Sequence, residues 1–402
     1  MSALSGQSLR EALEIALERY PKTKALESRV AGEEQRLSIE RASLRPQLSL
    51  NLRGGEERFT NTLGERLLDE NGSAALQGRQ LLYDGGNARA RIREARANLK
   101  TSQHSLERVR QDVALELAIS YVNILKFTHL TELAEQNVSL HRESLQKIES
   151  KFEAGAGPRA DVMLVRGRLA MAQAGLEARK RQLKSAHTAY LKLTGALPGE
   201  LIEPEFPEWA MPNSIDEIDF SKNPEVRVAR SELEATVSRR DSAESAYRPR
   251  LNFVVEGNAL ESGRYEHLQE DATALLTLSY NLFDGGKRKA EVRKANAHIT
   301  EADWKLQDAL AETETAFANA WNELVSIEER IYLLETHRDA IESVVDAYHE
   351  QFELGKRPLI NLLDVENELF SARSSVQEER FNRLQAAYRI LAATGELVST
   401  LL

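Results

Sequence analysis

Apolar residues recur at intervals of three and four through Val109, Val113, Leu117, Tyr121 and Ile124, and no proline interrupts the chain from about Asn87 to Phe152. That period marks one face of a helix. Ala, Glu, Arg, Gln and Leu, all good helix formers, fill the stretch. The spacing predicts a helix over 86–154 and a second over 286–354. At 1.5 Å per residue each rises about 100 Å. That exceeds any ordinary globular helix and implies a coiled-coil-like assembly. Gly155 with Pro158, and Gly355 with Pro358, end these helices and open returns over 158–195 and 358–398. Helices over about 8–43 and 224–247, built mainly on the stretches after Pro21 and Pro224, complete the helical set.

The period changes to two after Pro46 and after Pro249. Leu48, Leu50 and Leu52 alternate with Ser49, Asn51 and Arg53; Leu251, Phe253 and Val255 alternate with Asn252, Val254 and Glu256. Ala274, Leu276, Leu278, Tyr280 and Leu282 continue the pattern, and 76–82 repeats it less cleanly. Half-buried strands read this way. The expected strands are 46–56, 73–83, 249–259 and 271–283, joined by polar loops near 58–72 and 258–270. About ten residues is the length a tilted membrane-barrel strand needs. Alternation alone more often marks one face of a soluble sandwich than a lipid-facing strand. Two isolated hairpins on helices of this length, however, have no soluble core to join. Four strands cannot close a membrane barrel, which starts at eight, so closure needs several copies, and three give twelve strands.

The chain also repeats itself. Tyr83-Asp84-Gly85-Gly86 returns as Phe283-Asp284-Gly285-Gly286, Phe152/Gly155/Pro158 as Phe352/Gly355/Pro358, and Thr194-Gly195 as Thr394-Gly395. Arg45-Pro46 returns as Arg248-Pro249, three residues out of step, so one segment changed length. The division is a first repeat over 1–197, an inter-repeat equatorial segment over 198–223, where Pro198, Pro204, Pro207 and Pro212 cluster, and a second repeat over 224–402. A long two-fold repeat points to a symmetric or pseudo-symmetric assembly. The Asp-Gly-Gly motifs match neither the P-loop pattern nor EF-hand spacing. They read as strand-to-helix hinges, in which Gly85, Gly86, Gly285 and Gly286 permit the turn and Asp84 or Asp284 caps the next helix.

Composition narrows the function. Net charge is −10, with 29% charged residues of both signs interleaved, so no basic stripe marks a nucleic-acid binder. There are no cysteines, and the eight histidines form no HxxxH or HExxH pair. No nucleophile, base and metal set converges, so neither an enzyme nor a cofactor or metal is expected. No apolar run approaches the roughly 18 residues of a transmembrane helix. Met1 to Arg10 lacks an apolar signal core. The chain is therefore expected to be cytoplasmic or a mature form whose signal was removed, and the strands favour the second.

The paired Arg-Pro before the strands, the paired (Tyr/Phe)-Asp-Gly-Gly after them and the Gly-to-Pro turns resemble the TolC family of outer-membrane export ducts, over nearly the whole chain. Phe152-Glu153-Ala154-Gly155-Ala156-Gly157 and Gln351-Phe352-Glu353-Leu354-Gly355-Lys356-Arg357 are most similar to the branch serving type I secretion. The resemblance implies a mainly α chain with a β-barrel part: a long coiled-coil tunnel joined to a transmembrane β-barrel that a homotrimer completes. It implies an outer-membrane location reaching into the periplasm, with outer-membrane lipid around the barrel. It also implies an inner-membrane ABC transporter and a periplasmic membrane-fusion adaptor as partners, and a passive exit path for a protein substrate.

Further implications concern residues. The turns Ala154, Gly155, Gly157, Leu354 and Gly355 would be tips where the adaptor docks, besides serving as ordinary helix C-caps. Asp364 and Asn361, one helical turn apart, would line the gate constriction. Three copies of Asp364 would make an acidic ring that attracts cations; a solvated helix-face acid is the plainer alternative. Relatives usually carry acid at both positions, so Asn361 weakens the ring. Arg357 and Asp161 match gate-tethering positions, while Phe352 lacks a hydroxyl used elsewhere in the family. Two alternatives stay open: the outer-membrane part of a small-molecule or drug efflux pump, and, in another class, a soluble coiled-coil scaffold or periplasmic adaptor.

Overall fold

The computed structural model describes residues 6–60, 66–212, 214, 218–262 and 268–402. The chain falls into two compact units: residues 1–26, 106–226 and 310–402 form one, and residues 27–105 and 227–309 the other.

The first repeat runs α1 (Leu9–Arg19), α2 (Pro21–Ala42), β1 (Gln47–Thr60), β2 (Arg66–Tyr83), α3 (Asn87–Glu153) and α4 (Arg159–Thr194). The second runs α5 (Pro224–Ser245), β3 (Arg250–Ser262), β4 (Gln269–Ser279), α6 (Lys287–Glu353), α7 (Leu359–Thr394) and α8 (Leu397–Leu401). Corresponding helices have equal lengths: 22 residues in α2 and α5, 67 in α3 and α6, and 36 in α4 and α7. The three-residue slip therefore lies between the start of each hairpin and its Asp-Gly-Gly turn.

Glycine sets where the long helices stop. Gly155 (φ +73°) and Gly355 (φ +67°) take the left-handed conformation that a helix C-terminus needs. Ala156 then donates to the Lys151 carbonyl and Lys356 to the Gln351 carbonyl, each at 2.8 Å. Pro158 and Pro358 stand as N-caps of the return helices.

Two helices are shorter than the periodicity predicts. The expected helix over 8–43 breaks at Tyr20, because Pro21 cannot donate the next helical hydrogen bond. The expected helix over 358–398 stops at Thr394, because Gly395 turns left-handed at φ +81° before α8 begins.

The first unit holds the largest core. Leu9, Leu13 and Ala16 of α1 pack with Val113, Leu117, Tyr121 and Val122 of α3, Tyr190 and Leu193 of α4, and Leu384, Tyr388 and Leu391 of α7. Helix α3 holds an 18-residue window of mean hydropathy 1.2, 56% of it buried. This corrects the expectation that no such stretch exists; its apolar residues are those of this core. Ser8 and Glu11 form a reciprocal capping box that starts α1. Gln7 pairs in parallel with Leu201, tying the chain start to the equatorial segment.

The single proton of the Tyr121 hydroxyl is shared between the carbonyl oxygens of Gln7 (2.7 Å) and Ile202 (2.6 Å) at this join. Tyr121→Phe removes this shared, part-buried hydrogen bond, a loss of about 1 kcal/mol. The expected result is a lower melting temperature with unchanged helix content, read by circular dichroism; an unchanged melting temperature would show the join to be dispensable.

In the second unit the strands form one antiparallel sheet in the order β1-β2-β3-β4. The strands differ from their expected spans. The stretches at 57–60, 66–72 and 260–262, expected as loop, are ladder: Gly54 faces Gly72 and Glu56 faces Glu70. Ladder hydrogen bonds need only backbone, so polar side chains do not end a strand. The middles of both expected loops, 61–65 and 263–267, lie outside the described residues. β4 stops at Ser279 rather than 283: Ser279 pairs with Arg250, the first residue of β3, and Pro249 beyond it has no N–H to offer.

Candidate functional site

Strand register decides what the sheet can do. Successive side chains of a strand point to opposite faces, so aligned rows show each face's character. On one face Leu50, Leu76, Gly257 and Ala272 lie side by side across the four strands. Leu48, Gly78, Val255 and Ala274 form the next row, and Leu52, Ala74 and Ala259 another, which Glu270 of β4 ends. On the opposite face lie the rows Ser49, Gln77, Glu256, Thr273 and Asn51, Ala75, Asn258, Asp271, and the mixed row Gln47, Arg79, Val254, Leu275. Gln77 donates to Glu256 Oε2 (3.3 Å) and Asn258 to Asp271 Oδ2 (3.1 Å) on this polar face. The leucines stand in the open: Leu48, Leu50 and Leu52 are 74%, 62% and 70% exposed, and Leu276 and Leu278 are 68% and 66%. An exposed apolar patch of this extent marks an interaction surface. One apolar face backed by one polar face suits a wall between lipid and water.

The Asp-Gly-Gly turns join this sheet to α3 and α6. Asp84 accepts from the N–H of Gly86 (3.1 Å) and Ala88 (2.7 Å); Asp284 accepts from Gly286 (3.1 Å) and Arg288 (3.0 Å). Gly85 and Gly86 have φ +73° and +94°, Gly285 and Gly286 +66° and +90°. The two turns differ in crowding. A Cβ on Gly85 would lie 2.7 Å from the Ser245 carbonyl oxygen and 2.7 Å from Arg248 Cβ, whereas one on Gly285 meets nothing within 4 Å. Arg248 also donates to the Gly85 carbonyl at 2.8 Å.

In the first unit the two helix-turn tips are exposed at Ala154, Gly155, Leu354 and Gly355, and Gly157 is half-buried. The tips touch one another: Lys151 Nζ sits 4.6 Å from the centre of the Phe352 ring. Ile148, Val162, Val165, Leu359 and Leu363 pack behind them. Arg357 donates to Gln351 Oε1 at 2.7 Å and lies 3.5 Å over the Tyr348 ring. Its charge is thus held on its own hairpin, and the single chain does not bring it to Asp161, which stands half-buried in the first turn of α4.

Asp364 and Asn361 are both exposed on α7. Asp364 accepts a hydrogen bond from Arg168 of α4, an ion pair that joins the two return helices. Sequence reasoning missed Arg168. It stands where the second repeat has Glu368, and this charge reversal between repeats was the available signal.

One sheet with an apolar and a polar face, in a chain that also builds two long helical hairpins, is the make-up of an outer-membrane channel subunit. The model of the family described as outer membrane efflux protein matches residues 12–196 and 220–396. The chain belongs to that family, whose members are transport proteins of the outer membrane extending into the periplasm. It is 21% identical to the outer membrane efflux protein BepC of Brucella suis, covering 99% of this chain and 88% of that protein. It is 25% identical to the alkaline protease secretion protein AprF of Pseudomonas aeruginosa, covering 97% and 84%. The crystal structure of the outer membrane protein VceC of Vibrio cholerae has the same fold, with a TM-score of 0.85 at 15% identity and 96% of each chain covered.

Proposed function

We propose that three copies of this chain close a twelve-stranded outer-membrane barrel and a periplasmic helical tunnel, a passive exit duct for type I secretion of a protein substrate. An inner-membrane ABC transporter supplies the energy, and a membrane-fusion adaptor docks at Ala154–Gly157 and Leu354–Arg357. One observation carries the reading: an apolar face that runs in register across all four strands, in a sheet whose outer strands β1 and β4 each have a neighbour on one side only. Unpaired edges invite pairing with another chain. Similarity to a protein named for alkaline protease secretion supports a protein cargo; similarity to a protein named for efflux favours the second reading, small-molecule export.

Deleting the gene in its host separates the two. Loss of one or more large proteins from the culture medium, with drug susceptibility unchanged, is the expected outcome. Normal secretion with heightened drug susceptibility would transfer the assignment to efflux.

Asp364 and Asn361 form the constriction in this reading, with Arg168 moderating the negative ring. Asp161 and Arg357 tie neighbouring copies together at the tips. Each such exposed pair contributes about 0–1 kcal/mol, but three act on one opening. Asp161→Ala and Arg357→Ala are expected to raise single-channel conductance in planar bilayers. Unchanged conductance in both variants would remove the tether.

A further inference from the structure

A cavity of about 460 Å³ opens between α3, α6 and α7. Glu366 lines it with a side chain only 1% exposed. Neither of its carboxylate oxygens receives a hydrogen bond, and the same holds for the buried carbonyl Oδ1 of Asn137, which lines the cavity too. Buried acceptors left without donors are costly, and native proteins rarely keep them without a reason. His349 Nε2 is 3.0 Å from Glu366 Oε1, close enough for an ion pair when protonated, yet it does not satisfy the oxygen as a hydrogen-bond donor.

The other charges are accounted for. Arg373 is engaged by Glu342 across the rim. Asp346 on α6 is exposed and adds negative charge at the cavity. From α3, Lys147 exerts the one attraction that favours the ionised carboxylate, and it is outweighed: burial pushes the Glu366 carboxyl up to about 7. Among the described residues no group of three or more acidic or histidine side chains is arranged to hold a metal. Gln136 adds an amide to the wall, and the rest is apolar, with Leu140, Leu369 and Phe370. The volume falls within the usual range of small-molecule pockets, roughly 300–1,000 Å³.

We propose that this cavity binds a small organic amine, its ammonium donating to Glu366 and Asn137 and its apolar body lying against Leu140 and Phe370. The ligand supplies what the site lacks: N–H donors, a positive charge and a hydrophobic surface. An alcohol of the same shape supplies only one donor and no charge. The amine competes with protonated His349 for the same oxygen and needs Glu366 ionised, so binding strengthens as pH rises through about 7. The site is independent of which cargo the channel exports.

Isothermal titration of the detergent-purified protein with phenethylamine tests this, with 2-phenylethanol as the uncharged control. The expected result is saturable binding of one amine per chain at pH 8, at least tenfold weaker at pH 6, and no binding of the alcohol. Glu366→Gln should weaken binding tenfold or more while melting no lower than the parent protein. Asn137→Asp adds a second carboxylate and should tighten binding, an outcome misfolding cannot produce. No saturable binding, equal affinity for the alcohol, or affinity that neither substitution changes overturns the proposal.

Discussion

Gly85→Ala is expected to sharply reduce stable protein, while Gly285→Ala is tolerated. Both glycines hold a left-handed backbone, at φ +73° and +66°, which costs a residue with a Cβ about 1–2 kcal/mol. That term is common to both. The difference lies in what the methyl meets. At Gly285 it enters open space; at Gly85 it would sit 2.7 Å from the backbone oxygen of Ser245 and 2.7 Å from Arg248 Cβ. Neither is the far end of a flexible side chain, so the turn or the end of α5 must move. Moving it also disturbs the hydrogen bond from Arg248 to the Gly85 carbonyl. Thermal unfolding of the two purified variants measures the contrast. Equal losses at the two positions would show that the crowding at Gly85 relaxes at no cost.

The second large effect is expected in the sheet. Leu76 and Gln77 are neighbours on the central strand β2, but they point to opposite faces: Leu76 lies in the row of Leu50 and Gly257, and Gln77 in that of Ser49 and Glu256. In a membrane barrel, arginine on the lipid face costs roughly 2–4 kcal/mol at the bilayer midplane, and little on the inner face. Leu76→Arg should therefore deplete the protein from the outer-membrane fraction. Gln77→Arg should leave it there, because the guanidinium can pair with Glu256, which already accepts from Gln77 at 3.3 Å. A reversed pattern would turn the sheet inside out. Equal yields would mean that neither face meets lipid.

Much of this architecture is legible in the residues, because helix and strand are written in different periods. The long helices could be bounded from sequence since Gly155 and Gly355 end them by left-handed geometry, a local property of the chain. The alternation of Leu48, Leu50 and Leu52 with polar neighbours likewise identified the apolar face before any register was known. Strand ends were less legible. Residues such as Glu56, Glu57 and Glu70 look like loop, but the ladder continues through them because their backbones have partners opposite. Conversely, Tyr280 and Leu282 keep the alternation past the point where β3 offers a partner. The contacts at the candidate site were legible only in part. The ion pair of Arg168 with Asp364 and the burial of Glu366 depend on how helices distant in sequence are rotated against one another. Spacing along one helix does not contain that angle.

The central claim, a membrane duct completed by three copies, is tested most directly by electron microscopy of the detergent-purified protein. The account predicts a threefold particle with a detergent belt at one end and helical density running away from it. A monomeric or dimeric rod that stays soluble without detergent would contradict it, because the apolar face of the sheet would then have no lipid to meet.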